Sequence, residues 1–337
     1  MNIVVAGFGT VGQNLAQLLL THREFLRKAY GLVVKVVAVV DSKGAAVSQR
    51  GLDLDLVLRC KREHGTVAKV PSAGCEMDLL EVIQSVEADV LIEATYTNLR
   101  DGEPGMTHII KALQLGLNVV TVNKGPLALA MPMLKEMAEH RKLALRFSGT
   151  VGGGLPVLAF AKECSKGDRA VKVEGILNGT TNYILTRMEE GLSFEEALTE
   201  AQEKGYAERD PTLDVSGMDT ACKLVILANE VLGKRVTLRD VKVEGITTIK
   251  PEDIKMAKSL GKVVKLVGVA DESEVFVKPL SIDQSDPLAV KYNYNAITLT
   301  LENSGKHTIT GKGAGGRETA TAIIRDLISI KERLVIT

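Results

Sequence analysis

The chain lacks several features that would place it in particular classes of protein. It has no tryptophan, 4% aromatic residues and four cysteines, and Cys60, Cys75, Cys164 and Cys222 show no CxxC spacing. Such cysteines are typical of reduced cytosolic thiols and argue against a zinc cage or a disulfide framework. The five histidines are scattered without a paired spacing, so we do not expect a site built on histidine, whether for a metal or as a base.

Net charge and long apolar segments are also missing. Lys+Arg and Asp+Glu both number 42 among the 337 residues, and no basic tract is present. This balance argues against nucleic acid and anionic membranes as partners, and the apolar runs are too short for a membrane span. A strand-like segment starts at residue 2, so we expect no signal peptide and a soluble, cytoplasmic protein.

The first forty residues predict a dinucleotide-binding unit. An apolar strand at 2–6 runs directly into Gly7, Phe8, Gly9, Thr10, Val11 and Gly12. A helix predicted over residues 11–28 follows, and strand, GxGxxG and helix in that order are the context that this fingerprint requires. Gly7 allows the tight turn, Gly9 lets the backbone approach a pyrophosphate, and Gly12 lets helix and strand pack closely. A glycine-rich turn without a ligand is the disfavoured alternative.

Polar residues follow the later strands of the same region. A second strand at 33–40 ends in Asp41, which favours NAD because an acid there accepts from the ribose hydroxyls. Lys43 would instead meet the 2′-phosphate of NADP, so the choice of coenzyme stays open. The strands predicted at 88–94 and 117–122 are followed by polar tips that contain Thr95 and Lys124. Both tips are predicted to face the cofactor, because open α/β sheets bind ligands beyond the carboxyl ends of their strands. Lys124 is therefore predicted to be functional, with an ordinary solvent-exposed lysine as the alternative.

Two glycine-rich segments divide the chain. The segment at 148–156 predicts a boundary between a dinucleotide-binding domain at 1–150 and a substrate-binding and dimerisation domain at 151–312. Its loop is able to turn carbonyls onto a hard cation or amides onto an anion, or to act as a hinge. The third part, 313–337, is predicted to be a glycine loop and a helix that returns toward the nucleotide domain. Gly315 and Thr319 in this part predict a second backbone cradle for the cofactor. A plain turn and helix cap is the alternative.

The middle of the chain predicts a second sheet. Residues 171–176 and 241–246 both read VKVEGI, and we predict two strands with similar roles. Further strands, predicted to be antiparallel, lie at 262–270, 275–280, 296–301 and 307–310. The fold class is therefore α/β: a Rossmann-type doubly wound nucleotide-binding domain plus an α+β catalytic and dimerisation domain with a mixed or antiparallel sheet.

Residues 205–223 carry the densest cluster of ionisable groups. It contains Glu208, Asp210, Asp214, Asp219 and Lys223. Asp219 and Lys223 are four apart on a helix predicted over 218–232, so they share a face. Four carboxylates and an amine suit a site that holds a small zwitterion and moves a proton, with Lys223 as general acid or base. The alternative is an ordinary solvated Asp–Lys pair.

Seven motifs occur in the order seen in one known family: GFGTVG, EATYTN, TVNKGP, SGTVGGGLP, ILNGTTNYIL, GYAERDPTLDVSGMDTACKL and GKGAGGRETA. In these motifs the chain resembles the homoserine dehydrogenases over nearly its whole length. The resemblance implies reversible oxidation of L-homoserine to L-aspartate 4-semialdehyde with NAD or NADP, in the aspartate-derived biosynthesis of threonine and methionine. It implies that Lys223 exchanges a proton with the alcohol oxygen and that Lys124 is a second lysine at the reaction centre.

The same resemblance assigns the remaining site residues. The residues expected to bind the substrate are Glu208, Asp219, Gly179, Thr180, Tyr206 and Asp214. The carbonyls of Val151, Gly153 and Leu155 would hold a sodium-like cation, although Ser148 stands where many members have Glu. A homodimer built from the second domain is expected.

Three further expectations concern regulation and alternative functions. Because the chain stops at Thr337, we expect neither a C-terminal regulatory module nor a fused aspartate kinase. Another Rossmann dehydrogenase acting on a small amino or keto acid is one alternative. A nucleotide-sensing regulator without catalysis is the other.

Overall fold

The computed structural model describes residues 1–336, without the side chains of 334–336. Thr337, the last residue of the predicted C-terminal part, lies outside the described residues. The chain packs as two compact units, one formed by Met1–Thr150 with the segment that begins at Gly315, and the other by Val151–Ala314. The three-part division predicted from the sequence assigns roles as well as boundaries, and those roles stay predictions.

Strands and helices alternate through the first unit and are mixed in the second. The strands within residues 1–336 are β1 (Asn2–Ala6), β2 (Lys35–Asp41), β3 (Gly44–Val47), β4 (Gly74–Cys75), β5 (Val90–Glu93), β6 (Asn118–Thr121), β7 (Leu145–Arg146), β8 (Ala170–Ile176), β9 (Lys242–Val243), β10 (Lys262–Asp271), β11 (Val275–Asp283), β12 (Tyr294–Leu301) and β13 (Gly305–Lys312). The α-helices are α1 (Thr10–Thr21), α2 (Arg23–Tyr30), α3 (Leu54–His64), α4 (Leu79–Ser85), α5 (Gly105–Gln114), α6 (Lys124–His140), α7 (Val157–Cys164), α8 (Gly179–Glu189), α9 (Phe194–Glu203), α10 (Thr212–Val215), α11 (Met218–Val231), α12 (Pro251–Ser259) and α13 (Gly316–Ile336). None of these helices is long and apolar enough to cross a membrane.

The first unit is built on a seven-stranded sheet in the order β4-β3-β2-β1-β5-β6-β7. From β2 to β7 all neighbours are parallel, whereas β3 and β4 add an antiparallel edge. The strand order reverses between β1 and β5, and ligands of such sheets bind beyond the carboxyl ends of the strands at that point. The predicted doubly wound, Rossmann-type fold is confirmed.

The C-terminal helix α13 belongs to the first unit. It packs against α1, and its buried residues Ile323 and Leu327 lie in the same apolar core as Leu15 of α1. A buried apolar stripe of this kind holds a helix firmly to its neighbours. The first residue of α13, Gly316, therefore lies next to the start of α1, and a Cβ atom there would collide with the Thr10 side chain.

The second unit has a six-stranded sheet in the order β13-β12-β8-β10-β11-β9. All neighbours are antiparallel except β11 and β9, so the predicted mixed or antiparallel sheet is confirmed. Helix α11 packs against one face of this sheet, and Leu224 of α11 lies close to Gly268 of β10. This packing buries the segment that carries Lys223.

Two predictions about individual elements are wrong. The second VKVEGI copy forms only the two-residue edge strand β9, because the chain then turns away so that Ile246 N donates to Val215 O at 2.9 Å. The first copy, in contrast, is an interior strand of the sheet. The single helix predicted over 11–28 is broken at His22, whose backbone dihedrals of −105° and 8° are not helical.

Candidate active site

The glycine turn after β1 has the geometry that the fingerprint predicts. Gly7 has a φ of +91°, and a Cβ atom there would collide with Ala94 O at the end of β5. A Cβ atom on Gly12 would collide with Gly7 O, whereas one on Gly9 would meet nothing within 4 Å. Gly9 is the N-cap of α1 and provides no side-chain cap, and the N-terminus of a helix favours an anion. Phe8 is buried, and Thr10 and Val11 form the first turn of α1.

Asp41, at the end of β2, is committed to contacts within the fold. Its carboxylate accepts from Lys61 Nζ at 2.7 Å, Thr66 Oγ1 at 3.0 Å and the backbone N–H groups of Lys43 and Val67 at 2.9 Å. Burial raises the pKa of Asp41, but these donors outweigh it and hold the pKa below its ordinary value. The Lys43 side chain is exposed. The roles predicted for both residues toward the ribose stay predictions.

The strand tips that follow β5 and β6 are joined by polar contacts. Thr95 donates its backbone N–H and its hydroxyl to Glu93 Oε1, the former at 2.9 Å. Asn123 donates to Thr95 Oγ1 at 3.2 Å and accepts from Gly125 N at 3.0 Å, so it caps α6, whose first residue is Lys124. Thr95 and the backbone of Lys124 are therefore connected through the side chain of Asn123.

Gly315 and Thr319 lie at the start of α13. Gly315 has a φ of +139°, and its carbonyl accepts from Thr319 N at 2.9 Å. The Thr319 methyl group lies 3.2 Å from the position of a Cβ atom on Gly149. This segment is a close-packed helix start within the first unit, and its predicted role as a cofactor cradle stays a prediction.

In the second unit a buried lysine lies in a cluster of carboxylates and amides. Lys223 on α11 is 8% exposed, and its Nζ donates to Asp219 Oδ2 at 2.6 Å and to Leu177 O at 2.7 Å. Asn178 Nδ2 donates to the same Asp219 oxygen at 2.9 Å and to Asp214 Oδ1 at 2.6 Å. The predicted cluster of Asp214, Asp219 and Lys223 therefore exists as one connected network, and a solvated surface pair is excluded.

The environment of Asp214 favours a cation. Burial and then the charge of Asp219 raise its pKa, against the opposing effects of Asn178, Lys223 and Thr180. A positively charged group bound between these carboxylates would relieve that repulsion.

The other predicted substrate residues surround this network at different depths. Asn178 caps α8, which begins at Gly179, and the hydroxyl of Thr180 donates to Tyr206 O at 2.7 Å. Tyr206 is 40% exposed and its ring centroid lies 4.9 Å from that of Tyr183. Glu208 is exposed, and its carbonyl accepts from Gln202 Nε2 at 3.1 Å. The hydrogen bond from Thr180 therefore connects the start of α8 to the Tyr206 backbone, whereas Glu208 lies at the surface.

The glycine loop has two consecutive residues in the left-handed region, Gly152 at φ +76° and Gly153 at φ +55°. Val151 is buried, and the Leu155 carbonyl accepts from Val157 N at 2.9 Å. No cluster of three His, Cys, Asp or Glu residues with metal-binding potential occurs in the described part of the chain. Any cation here would therefore depend on backbone carbonyls.

Ser148 is held by Asp326 of α13. Its hydroxyl donates to Asp326 Oδ1 at 2.6 Å and its N–H to Oδ2 at 2.9 Å. Burial raises the pKa of Asp326 to about 6, in spite of these two donors. The hydroxyl of Ser148 is thus already committed within the first unit.

The first unit carries a dinucleotide fingerprint at the point where the strand order of its sheet reverses. The second unit carries a buried lysine with carboxylates. These two features are typical of a Rossmann-type dehydrogenase. The family model described as homoserine dehydrogenase matches residues 156–328, and the model for Glutamate/Leucine/Phenylalanine/Valine dehydrogenase matches residues 1–103. A curated homoserine dehydrogenase of Methanocaldococcus jannaschii is 44% identical over 98% of this chain and 98% of its own. The chain belongs to the homoserine dehydrogenase family and is an oxidoreductase.

Further similarities bear on the coenzyme. A curated NAD(+)-dependent homoserine dehydrogenase of Pseudomonas canavaninivorans is 39% identical, with 98% of this chain and 96% of that one covered. The crystal structure of a putative homoserine dehydrogenase from Archaeoglobus fulgidus matches with a TM-score of 0.90 at 41% identity, over 98% and 99% of the two chains. A hyperthermophilic archaeal homoserine dehydrogenase in complex with NADPH matches with a TM-score of 0.85 at 26% identity, over 98% of each chain. Membership of this family favours an enzyme over a nucleotide-sensing regulator.

Sequence reasoning missed the residues that organise both sites. Asn178 links Asp214 to Asp219, and Glu93 links Thr95 to Asn123 and His108. The signal that was available is position, since Asn178 and Asn123 follow closely on β8 and β6, and Glu93 is the last residue of β5. Polar residues at the carboxyl ends of strands are good candidates for site organisers.

Proposed function

We propose that the chain catalyses the reversible oxidation of L-homoserine to L-aspartate 4-semialdehyde with NAD or NADP, with Lys223 as proton donor and acceptor. The observation that carries this proposal is the buried Lys223 amine, held 2.6 Å from Asp219 Oδ2 and 2.7 Å from Leu177 O. A lysine fixed by two acceptors in a buried network has a defined direction, as proton transfer to a substrate oxygen requires.

The chemistry of the lysine follows from its hydrogens. An ammonium group has three, and two of them point at Asp219 and Leu177, which leaves the third direction for the alcohol oxygen. When bound, the nicotinamide supplies the acceptor for the hydride that leaves the carbon bearing the hydroxyl. In the oxidation the neutral Lys223 amine takes the hydroxyl proton, and in the reduction the ammonium returns it.

Recognition of the amino acid needs carboxylates for the ammonium and N–H donors for the carboxylate. Asp219, Asp214 and Glu208 suit the first task, because an ammonium group bound beside Asp214 and Asp219 would offset the charge repulsion between them. The start of α8 suits the second, because Gly179 and Thr180 are its first residues and a helix N-terminus favours an anion. Tyr206 would close this end of the site through its contact with Thr180.

We further propose that both coenzymes bind the glycine turn from Gly7 to Gly12. Lys43 is exposed beside the end of β2 and would attract a 2′-phosphate. The sequence predicts that Asp41→Ser shifts the preference toward NADP. Because Asp41 holds Lys61, Thr66 and Val67, we also expect this variant to unfold at a lower temperature than the wild type.

The carbonyls of Val151, Gly153 and Leu155 are proposed to hold a monovalent cation. The donor type fits a hard cation of low charge, since residues 151–155 include no ionisable side chain. Activity measured in sodium and in tetramethylammonium buffers of equal ionic strength tests this, and equal rates and unfolding temperatures in the two would contradict it.

A homodimer through the sheet of the second unit is proposed as well. One face of this sheet carries the buried cluster with Val267 and Val269, on which the partly buried Phe276, Leu280 and Ile282 pack. Apolar groups that stay partly exposed on a sheet favour self-association. Light scattering should give about twice the chain mass of 36.2 kDa, and the chain mass alone would refute the proposal.

The free cysteines fit the expected cytoplasmic location.

The direct test of the reaction is absorbance at the nicotinamide band with L-homoserine and either NAD or NADP. We expect reduction with at least one of the two coenzymes, and the reverse reaction with the semialdehyde. Coenzyme binding without turnover of homoserine in either direction would refute the proposed activity, and turnover of another small amino or keto acid would support the alternative dehydrogenase.

A further inference from the structure

A buried carboxylate connects the ends of two adjacent strands in the first unit. Glu93 is the last residue of β5 and is 0% exposed. We propose that Glu93 is a positioning residue, which acts through Asn123 to fix the first turn of α6 and so the direction of Lys124. The inference rests on the proposed function, in which Lys124 is the second lysine of the reaction centre.

The surroundings of Glu93 consist of hydrogen-bond donors. Oε1 accepts from the N–H of Thr95 at 2.9 Å, from the Thr95 hydroxyl and from Asn123 Nδ2 at 3.4 Å. Oε2 lies 2.8 Å from His108 Nδ1 on α5. An ionised carboxyl group is an acceptor only, so it matches this set of donors, and a neutral side chain of the same shape would leave some of them unpaired.

Asn123 carries the position of Glu93 to the helix. Its Nδ2 contacts Glu93 Oε1, Thr95 Oγ1 and Tyr96 O, the last at 2.9 Å, while its Oδ1 accepts from Gly125 N at 3.0 Å. The same amide thus ties the strand tip after β5 to the cap of α6. Because Lys124 is the residue between Asn123 and Gly125, its backbone is held on both sides by this amide.

Close packing leaves this connection little freedom to move. A Cβ atom on Gly105, at the start of α5, would lie 2.6 Å from Asn123 Nδ2, and one on Gly125 would collide with Asn98 O. Groups in such contact transmit a displacement to their neighbours instead of absorbing it. A change at Glu93 or Asn123 should therefore move residues 95–98 and Lys124 together.

Stability alone does not account for the arrangement. A buried ionised group is weak evidence for stability, since apolar residues of similar volume often serve as well or better. The carboxylate instead fixes the positions of three chain segments. Its two oxygens contact the Thr95 N–H, His108 Nδ1 and Asn123 Nδ2. Precise direction matters for a reacting group, where a displacement of about 1 Å can lower the rate on the order of 10²-fold.

The test exchanges donor and acceptor between the two residues. Asn123→Asp keeps an acceptor for Gly125 N but sets a second carboxylate against Glu93, so we expect kcat to fall on the order of 10²-fold. In the double variant Glu93→Gln with Asn123→Asp, the glutamine amide donates to the aspartate, whereas the donor to Tyr96 O stays lost, so we expect a partial recovery of about tenfold. Coenzyme affinity, followed by the fluorescence of bound NADPH or NADH, should fall by a smaller factor than kcat in each variant.

Asp78→Ala is the matched control. Asp78 is exposed and forms a capping box with Glu81 at the start of α4 in the same unit, so its loss removes a helix cap without touching the strand tips. We expect a lower unfolding temperature and an unchanged kcat. If Asn123→Asp behaves like this control, or if the double variant is no better than Asn123→Asp, the positioning role is wrong.

Gly105→Ala decides the question if Asn123→Asp does not fold. Its new methyl group would press on Asn123 Nδ2 without altering any polar group, and we expect kcat to fall about tenfold and coenzyme affinity to fall by a smaller factor. Full activity in this variant would overturn the inference. A wild-type protein that does not oxidise homoserine would refute the proposed function itself, whereas an active wild type with unaffected variants would refute only the role of Glu93.

Discussion

Lys223 Nζ lies 2.6 Å from Asp219 Oδ2, and the two residues are four apart on α11. On a solvated helix such a pair contributes little to stability or chemistry. Here the lysine is buried, and the Asp219 oxygen also accepts from Asn178 at 2.9 Å. The pair is therefore held at a fixed geometry by groups from a second helix start, which is what a proton-transfer site needs.

Glu208→Gln should raise the KM for homoserine strongly and leave coenzyme affinity unchanged. The exposed carboxylate is assigned to the ammonium of the substrate, and its neutral analogue keeps the shape but loses the charge. Steady-state kinetics with homoserine as the varied substrate, together with a coenzyme titration, measures both effects. If coenzyme affinity collapsed instead, Glu208 would belong to the dinucleotide site.

Lys43→Ala should weaken NADP on the order of tenfold and leave NAD nearly unchanged. The exposed amine would contact only the 2′-phosphate, and a hydrogen bond to a charged group contributes about 1.5–3 kcal/mol. The ratio of kcat/KM for the two coenzymes, measured with Lys28→Ala as an exposed-lysine control in the same unit, reports the effect. Equal losses with both coenzymes would show that Lys43 does not read the phosphate.

Asp214→Asn should stabilise the protein at neutral pH and not in acid. Burial and the charge of Asp219 raise the pKa of Asp214 above its ordinary 3.8, so the fold favours the protonated acid. Its contribution is complete below pH 3.8 and is lost as the pH rises through the raised value. Unfolding temperatures of both proteins between pH 4 and pH 8 should diverge with rising pH, and a constant difference would contradict the shift.

Lys265→Met should stabilise the second unit most at or below neutral pH. Lys265 is 1% exposed, and burial lowers its pKa to about 8 from 10.5, so the fold favours the neutral amine. Its stabilising contribution is complete above pH 10.5 and falls as the pH decreases to about 8. Methionine also removes the donor that lies 2.8 Å from Asn182 Oδ1, so the gain at pH 7 should stay below about 3 kcal/mol, and denaturant unfolding at pH 7 and pH 10 measures it. A larger gain at pH 10 would contradict the sign.

Local pattern predicted the parts of the site that lie close together in sequence. GxGxxG after a strand predicted the turn at Gly7, and the spacing of four predicted the contact between Asp219 and Lys223. The contacts of Asn178 with Asp214 and Asp219 join residues 36 and 41 apart, and Glu93 meets Asn123 across 30 residues. Such pairs depend on which strands become neighbours, which propensity and periodicity do not encode.

The repeated VKVEGI sequence shows the same limit from the other side. Identical residues form an interior strand at β8 and a two-residue edge strand at β9. At the second copy, Gly245 lies so close to Val215 O that a side chain would not fit there, and the chain leaves the sheet. Tertiary contacts therefore decide the fate of a sequence whose local preference is the same in both places.

Replacement of Lys223 tests the central claim most directly. Lys223→Met keeps the buried volume and removes the proton-carrying group, and Lys166→Met, an exposed lysine of the same unit paired with Glu163, is the control. With homoserine and the preferred coenzyme, we predict that kcat falls about 10²–10⁴-fold in Lys223→Met with little change in coenzyme affinity, and stays near normal in the control. Near-normal turnover by Lys223→Met would contradict the account.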